Sequence, residues 1–240
     1  MSGIKIFNHS VRMVLGNSTQ AIKVSLPMLA VMVAAFIFGD GASGSAGFEA
    51  EDIADYSGSD IVFSFLSGLA GLWAIVAWHR FILLEEYPAS FPAFHGGQIL
   101  AYFVNSILIS LIIGIPLAIG VALVSLVLPV LAAVIALAAL PVAVWVFYRL
   151  SPMLAASAIG NSISIKDAWE ATHDISGAAV IAALLTFAAG MGLQLAGVLV
   201  FSIVPFVGFL GLIAANWATT LIFASLITTI YGIAVENRSV

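Results

Sequence analysis

Two long stretches without a charged side chain constrain this sequence more than any other feature. Residues 87–148 and 176–235 contain no Asp, Glu, Lys or Arg. From Ile99 onward the first stretch is apolar for about 50 residues, which as one straight α-helix would measure about 75 Å. The hydrocarbon core of a bilayer is only about 30 Å thick. We therefore expect each stretch to cross a membrane and return.

The composition agrees with an integral membrane protein. Hydrophobic residues make up 62% of the 240 residues and charged residues 8%, whereas soluble domains average about 45–50% and about 25%. We predict an all-α fold, a single integral membrane domain over residues 1–240 in which about six transmembrane helices form a bundle of three hairpins.

Prolines place the turns of these hairpins. Pro129 follows Ser125 in the first uncharged stretch, and Pro205 with Gly208 interrupts the second; proline is favoured at the first position of a helix. The predicted spans are residues 21–38, 61–78, 99–124, 130–150, 176–203 and 209–235.

Three polar segments flank the spans. Residues 1–18 predict an amphipathic helix at the membrane surface, which leads into the first span. Residues 40–60 form an acidic loop with six Asp or Glu and no base, which we expect outside the cytoplasm. Ser164 and Asp167 fit a helix N-cap pattern, so we predict a short helix to Thr172 with Trp169 at the membrane surface.

The basic residues predict the orientation. If the N-terminus is cytoplasmic, all seven fall on the cytoplasmic side, and an excess of Lys and Arg on that side is the rule for membrane proteins. These residues are Lys5, Arg12, Lys23, Arg80, Arg149, Lys166 and Arg238. We expect a multi-pass protein of the inner (cell) membrane with N- and C-termini in the cytoplasm.

Several kinds of chemistry lack the residues they need. The chain has no cysteine, and its scattered bases argue against nucleic acid as a partner. No catalytic residue set, cofactor site or metal site is recognisable. His9, His79, His95 and His173 all fall on the predicted cytoplasmic side, where a metal site is conceivable, but we favour isolated histidines at the membrane interface.

Few polar side chains lie deep in the predicted spans. Asn105, Gln194 and Asn216 are the only amides there, and we interpret them as intramembrane polar packing. Gln194 and Asn216 have similar depths in neighbouring spans, so we predict a hydrogen bond between them. A stripe of mostly small residues on the fifth span predicts close packing: Ala183, Thr186, Gly190, Gln194 and Gly197.

Arg80 and Arg149 each follow aromatic residues at the cytoplasmic end of a span. The guanidinium group binds phosphate through two parallel hydrogen bonds. We therefore hypothesise that both arginines contact an anion, most readily a lipid phosphate, with simple anchoring of the helix ends as the alternative.

Residues 147–160, FYRLSPMLAASAIG, and 164–169, SIKDAW, carry a resemblance to known proteins. They resemble a pattern in bacterial six-helix membrane proteins of the YciC-like and glycerophosphodiester-phosphodiesterase membrane-domain-like families. The resemblance implies an all-helical bundle of three hairpins in a bacterial inner membrane. It implies no catalytic residue, because the phosphodiesterase activity in the second name belongs to a separate soluble domain.

Three functions stay open at this point. We expect a non-enzymatic protein that organises, assists or regulates membrane partners, with membrane lipids and other membrane proteins as its contacts. The second possibility is a transporter of a small neutral or lipid substrate. The third is a membrane enzyme with a cytoplasmic site built from His and Glu.

Overall fold

The structure is a computed structural model that describes residues 2–38 and 58–239. Its described residues form helices and connecting segments, with no β-strand among them. The α-helices are α1 Gly3–Gly16, α2 Ser18–Phe38, α3 Gly58–Leu84, α4 Gly96–Ser125, α5 Pro129–Leu150, α6 Pro152–Ala158, α7 Ile165–Ala171, α8 Ser176–Ile203 and α9 Pro205–Ala234. Six of them (α2, α3, α4, α5, α8 and α9) are long and apolar enough to cross a membrane.

The all-α bundle with six membrane-spanning helices is thereby confirmed. The first predicted turn is also correct, because α4 ends at Ser125 and α5 begins at Pro129. The end of the second span was predicted too early. Helix α3 continues through His79 and Arg80 to Leu84. Most of the predicted acidic loop, residues 40–60, lies outside the described residues.

Helices α8 and α9 form the most closely packed hairpin. Ala183, Thr186, Gly190 and Gly197 of the stripe on α8 are all buried. Gly190 and Gly197 face α9, where they lie against Thr219 and Leu212. Helices α8 and α9 approach each other more closely still at the start of α9. A Cβ atom added at Gly208 would lie 2.0 Å from the Phe201 Cα atom, so only glycine fits there.

Helix α1 packs against α8 and α9. Its buried face contains Ile6, Ser10 and Val14, and the Ser10 and Thr229 hydroxyls share a hydrogen bond of 3.3 Å. The N-terminal helix therefore lies beside the C-terminal part of α9, as an even number of crossings requires. One face of the predicted surface helix is thus covered by the bundle.

Helix α6 was not predicted as a separate element. All seven of its residues are buried, and it packs among α3, α4 and α9. Gly160 ends it in the left-handed region at φ +83°. Two backbone bonds, from Gly160 to the Ser157 carbonyl and from Asn161 to the Ala156 carbonyl, satisfy the last turn. Small side chains allow this helix to pass through the bundle interior.

Residues 114–142, which we call the outer arm, are mostly exposed. They include the second half of α4, the turn and the first half of α5. Among the arm residues whose side chains are described, only Ala132 is buried. Helices α4 and α5 pack against each other, while α6 packs among α3, α4 and α9.

Candidate functional sites at one end of the bundle

Arg80, Glu86 and His95 meet where α3 ends and α4 begins, and we call this group the clasp. The Glu86 Oε2 atom accepts hydrogen bonds from Arg80 Nε at 2.8 Å and Nη2 at 2.6 Å. His95 Nε2 lies 2.6 Å from Glu86 Oε1. Arg80 Nη1 also donates to the Ala158 carbonyl at the end of α6, at 3.3 Å. The clasp therefore ties together α3, the connection after it, α4 and α6.

Backbone geometry positions Glu86 in the clasp. Glu85 has a left-handed φ of 55°, which ends α3 and turns the chain back over it. The backbone N–H of Glu86 then contacts the Arg80 carbonyl at 3.4 Å. Partial burial of Glu86 opposes ionisation, but hydrogen bonds and positive charge from Arg80 and His95 outweigh it and lower the pKa of the carboxyl group.

The connection between α3 and α4 lies back against α3. Trp73 Nε1 donates to the Ala93 carbonyl at 3.1 Å, and its ring contacts Phe91 and Phe94. This connection, together with α2 and α3, encloses a cavity of about 220 Å³. Its lining is apolar except at Glu86 and Tyr87: Val24, Ala77, Glu86, Tyr87, Pro88, Ala89, Phe91, Pro92 and Ala93.

His79 lies inside the bundle, covered by the surrounding helices. The side chain is 0% exposed, and its Nδ1 atom lies 2.8 Å from the Thr228 hydroxyl on α9. The Thr228 hydroxyl also donates to the Ala224 carbonyl at 2.9 Å. Its Nε2 atom has no hydrogen-bond partner among the described residues. Next to it, Trp78 Nε1 donates to Ser225 at 2.8 Å.

Arg149 lies in a corner formed by two tryptophans at the end of α5. Its guanidinium carbon is 4.3 Å from the centre of the Trp169 ring and 5.7 Å from that of Trp145. One Nη2–H donates to the Trp169 carbonyl. The neighbouring Thr172 hydroxyl donates to the Arg149 carbonyl at 3.0 Å. These contacts fix α7 against α5, so Trp169 belongs to the bundle as well as to its surface.

The two arginines differ in how their charge is met. Glu86 neutralises Arg80, whereas none of the ion pairs in the described part of the chain includes Arg149. The Arg149 side chain is nevertheless covered, because the residue is 3% exposed. The two guanidinium groups therefore have different partners within the described residues. Contact with an anion stays a prediction.

The amide residues do not form the predicted pair. Gly190 lies opposite Thr219 and Gly197 opposite Leu212, so Gln194 is level with residue 215. Ala215 is buried at this level while Asn216 points outward and is exposed. No hydrogen bond joins Gln194 to Asn216 within the residues described. The depths match, but the helix rotation separates the two side chains.

Sequence reasoning missed the partners of these residues rather than the residues themselves. The fully buried His79 had one usable signal in the sequence: it lies four residues after Ile75 and three after Val76, so apolar residues share its side of the helix. The His95–Glu86 pair depends on the turn at Glu85, for which the sequence has no glycine signal. Among residues 2–38 and 58–239, no three His, Asp or Glu side chains group so as to hold a metal ion.

No protein-family model, curated protein or solved structure matches this chain. The geometry therefore defines a class, a multi-pass helical membrane protein, on its own. The resemblance of residues 147–169 to YciC-like proteins stays a prediction.

Proposed function

We propose that this chain is a non-enzymatic inner-membrane protein that organises or assists other membrane proteins, whose transmembrane helices dock along the outer arm. One observation carries the proposal: only Ala132 is buried among the described side chains of residues 114–142. A span that serves only its own bundle buries one face along most of its length. Neither helix of the outer arm buries such a face among its described side chains.

The surface of α4 has the residues that membrane helices use to associate. Ser110, Gly114, Ala118 and Ala122 recur at steps of four, and all four are exposed. No heavy atom lies within 4 Å of a Cβ atom placed at Gly114. In lipid, apolar surface alone gives no driving force between helices, and association uses small residues that allow close backbone contact. This row of small residues on α4 begins before the outer arm and continues into it.

The clasp supports a structural role for the His and Glu side chains. Both carboxylate oxygens of Glu86 are occupied by Arg80 and His95. The group joins four segments of the chain, and each carboxylate oxygen of Glu86 already contacts a side chain of the clasp. This arrangement favours an organising protein over the enzyme with a cytoplasmic His and Glu site.

Bulky substitutions in the row of small residues on α4 test the proposal. Gly114→Leu combined with Ala118→Leu should remove the partner membrane protein that copurifies with the wild type in native lipid, and should reduce the size of the complex on native electrophoresis. Gly192→Leu is the matched control, since Gly192 is exposed on α8 with nothing within 4 Å of its Cβ position. The control should keep the complex.

Two results would count against the proposal. A complex that survives the double substitution unchanged would show that the arm is not the docking surface. A complex made only of copies of this chain, and lost in the double variant, would assign the arm to self-association instead.

Transport is the second candidate, and one observation favours it. A cavity of about 200 Å³ is lined by Thr228, whose hydroxyl contacts the buried His79 ring. An ionisable group inside a membrane bundle is costly and is often part of a transport path. A His79→Gln variant that lost the protein's activity in cells while keeping its copurified partner would favour transport.

A further inference from the structure

We propose that Arg149, together with Trp145 and Trp169, forms a binding site for a phosphate group at headgroup depth. The site is distinct from the docking surface on the outer arm and does not depend on it. Its ligand is a singly or doubly charged phosphate, either in the headgroup of an anionic lipid or as the free ion.

The first step of the argument is an unmatched charge. Arg149 is 3% exposed, and no Asp or Glu in the described part of the chain lies within ion-pair distance of it. Arginine stays charged in proteins. Covering a charge is costly unless an opposite charge or several hydrogen bonds compensate for it. The corner therefore lacks a negative partner.

The second step is an unused donor. Arg149 Nη2 donates to the Trp169 carbonyl, but the buried Nε–H group has no hydrogen-bond partner among residues 2–38 and 58–239. A guanidinium group binds phosphate best through two parallel N–H groups on one edge. The internal contacts use one nitrogen of the fork and leave another without an acceptor.

The third step is the position of the site. Arg149 is the last residue but one of α5, a span that begins at Pro129, so the guanidinium group lies near one membrane surface whichever side that is. The rings of Trp145 and Trp169 meet edge to face, with centres 5.1 Å apart. Tryptophan favours the level of the lipid headgroups. There the faces of the two tryptophan rings contact the guanidinium cation, and a bound phosphate supplies the missing negative charge.

Arg80 does not share this site. Its Nε and Nη2 atoms both donate to Glu86, and Nη1 donates to Ala158. The geometry thus distinguishes the two arginines: Glu86 neutralises Arg80, whereas no carboxylate in the described part of the chain neutralises Arg149.

Binding of short-chain phosphatidylglycerol to the purified full-length protein in detergent tests the site. Arg149→Gln should weaken the apparent Kd by about tenfold or more, since a hydrogen bond to a charged group contributes roughly 1.5–3 kcal/mol and tenfold corresponds to about 1.4 kcal/mol. Arg149→Lys keeps the positive charge but not the forked guanidinium group. Its Kd should therefore lie between those of the wild type and Arg149→Gln. Short-chain phosphatidylcholine should bind more weakly to the wild type, because choline neutralises its phosphate.

Lys166→Gln is the matched control. It removes one positive charge from α7, three residues before Trp169, and Lys166 is exposed with only a 3.9 Å contact to Glu170. Its Kd should equal that of the wild type. If Arg149→Gln and Lys166→Gln weaken binding equally, only net charge counts and the site is wrong.

Inorganic phosphate identifies the source of the ligand. If millimolar inorganic phosphate competes with the lipid, the site is assigned to the free ion. If it does not compete, the site is assigned to the lipid. Both assignments require that Arg149→Gln weakens phosphatidylglycerol binding. Melting curves without lipid control for folding. If Arg149→Gln does not fold, Arg149→Lys decides: selective loss of phosphatidylglycerol binding supports the site, and wild-type affinity rejects it.

Discussion

Glu86 shows at the scale of single residues what the sequence can and cannot predict. Arg80 was predicted at the end of a span, where it would contact an anion or anchor the helix end. Its partner six residues later depends on the left-handed turn at Glu85, and His95 joins them only after the connection has folded back along α3. Sequence patterns within one helix contain no information about such contacts, so the site residues were predicted but not their pairing.

The clasp predicts a pH dependence of stability. The pKa of Glu86 in the folded chain lies below the ordinary value of 4.5, so the folded state favours the ionised carboxylate. Its stabilisation is complete above that value and is lost as the pH falls below it. The melting temperature of the wild type in detergent should therefore decline more steeply below pH 4.5 than that of Glu86→Gln.

Exposure of Glu86 to solvent limits how much its ionisation stabilises the folded chain. The Glu86 side chain is 34% exposed, and ion pairs of this kind contribute about 0.2–1 kcal/mol. Glu85→Gln is the control, because it removes the same charge from an exposed neighbour and should follow the wild-type curve. Parallel curves for wild type and Glu86→Gln would show that the clasp does not respond to acid.

At the scale of helices, the uncharged stretches and their prolines predict most of the fold. The turn between Ser125 and Pro129 follows from chain length and proline chemistry, which are local properties. Helix α6 was missed because its small residues look like the continuation of a span or like a loop. Only the packing of α3, α4 and α9 around it makes it a buried helix.

The α8–α9 hairpin predicts a sharp difference between two glycines on one helix. Gly208→Ala would place its Cβ atom 2.0 Å from the Phe201 Cα atom, and overpacking against backbone typically costs about 1–3 kcal/mol. Its melting temperature should fall below that of the wild type. Gly211→Ala is the control, since its nearest contact is 3.9 Å away at Gly197. Equal melting temperatures for the two variants would mean that the hairpin is more open than described.

At the scale of the whole molecule, six spans place both ends of the chain on one side of the membrane. The Ser10 contact with Thr229 agrees, because it joins the first helix to the last. Which side this is depends on the seven basic residues, all of which fall on the side of the termini. The number of spans follows from length and hydropathy, whereas orientation rests on charge.

Thiol labelling in intact cells tests the topology most directly, because these 240 residues contain no cysteine. Asp52→Cys lies between the first two spans and Lys166→Cys between the fourth and fifth. With cytoplasmic termini, a membrane-impermeant maleimide should label Asp52→Cys and should reach Lys166→Cys only after the cells are opened. Labelling of Lys166→Cys in intact cells, with Asp52→Cys protected, would contradict the account.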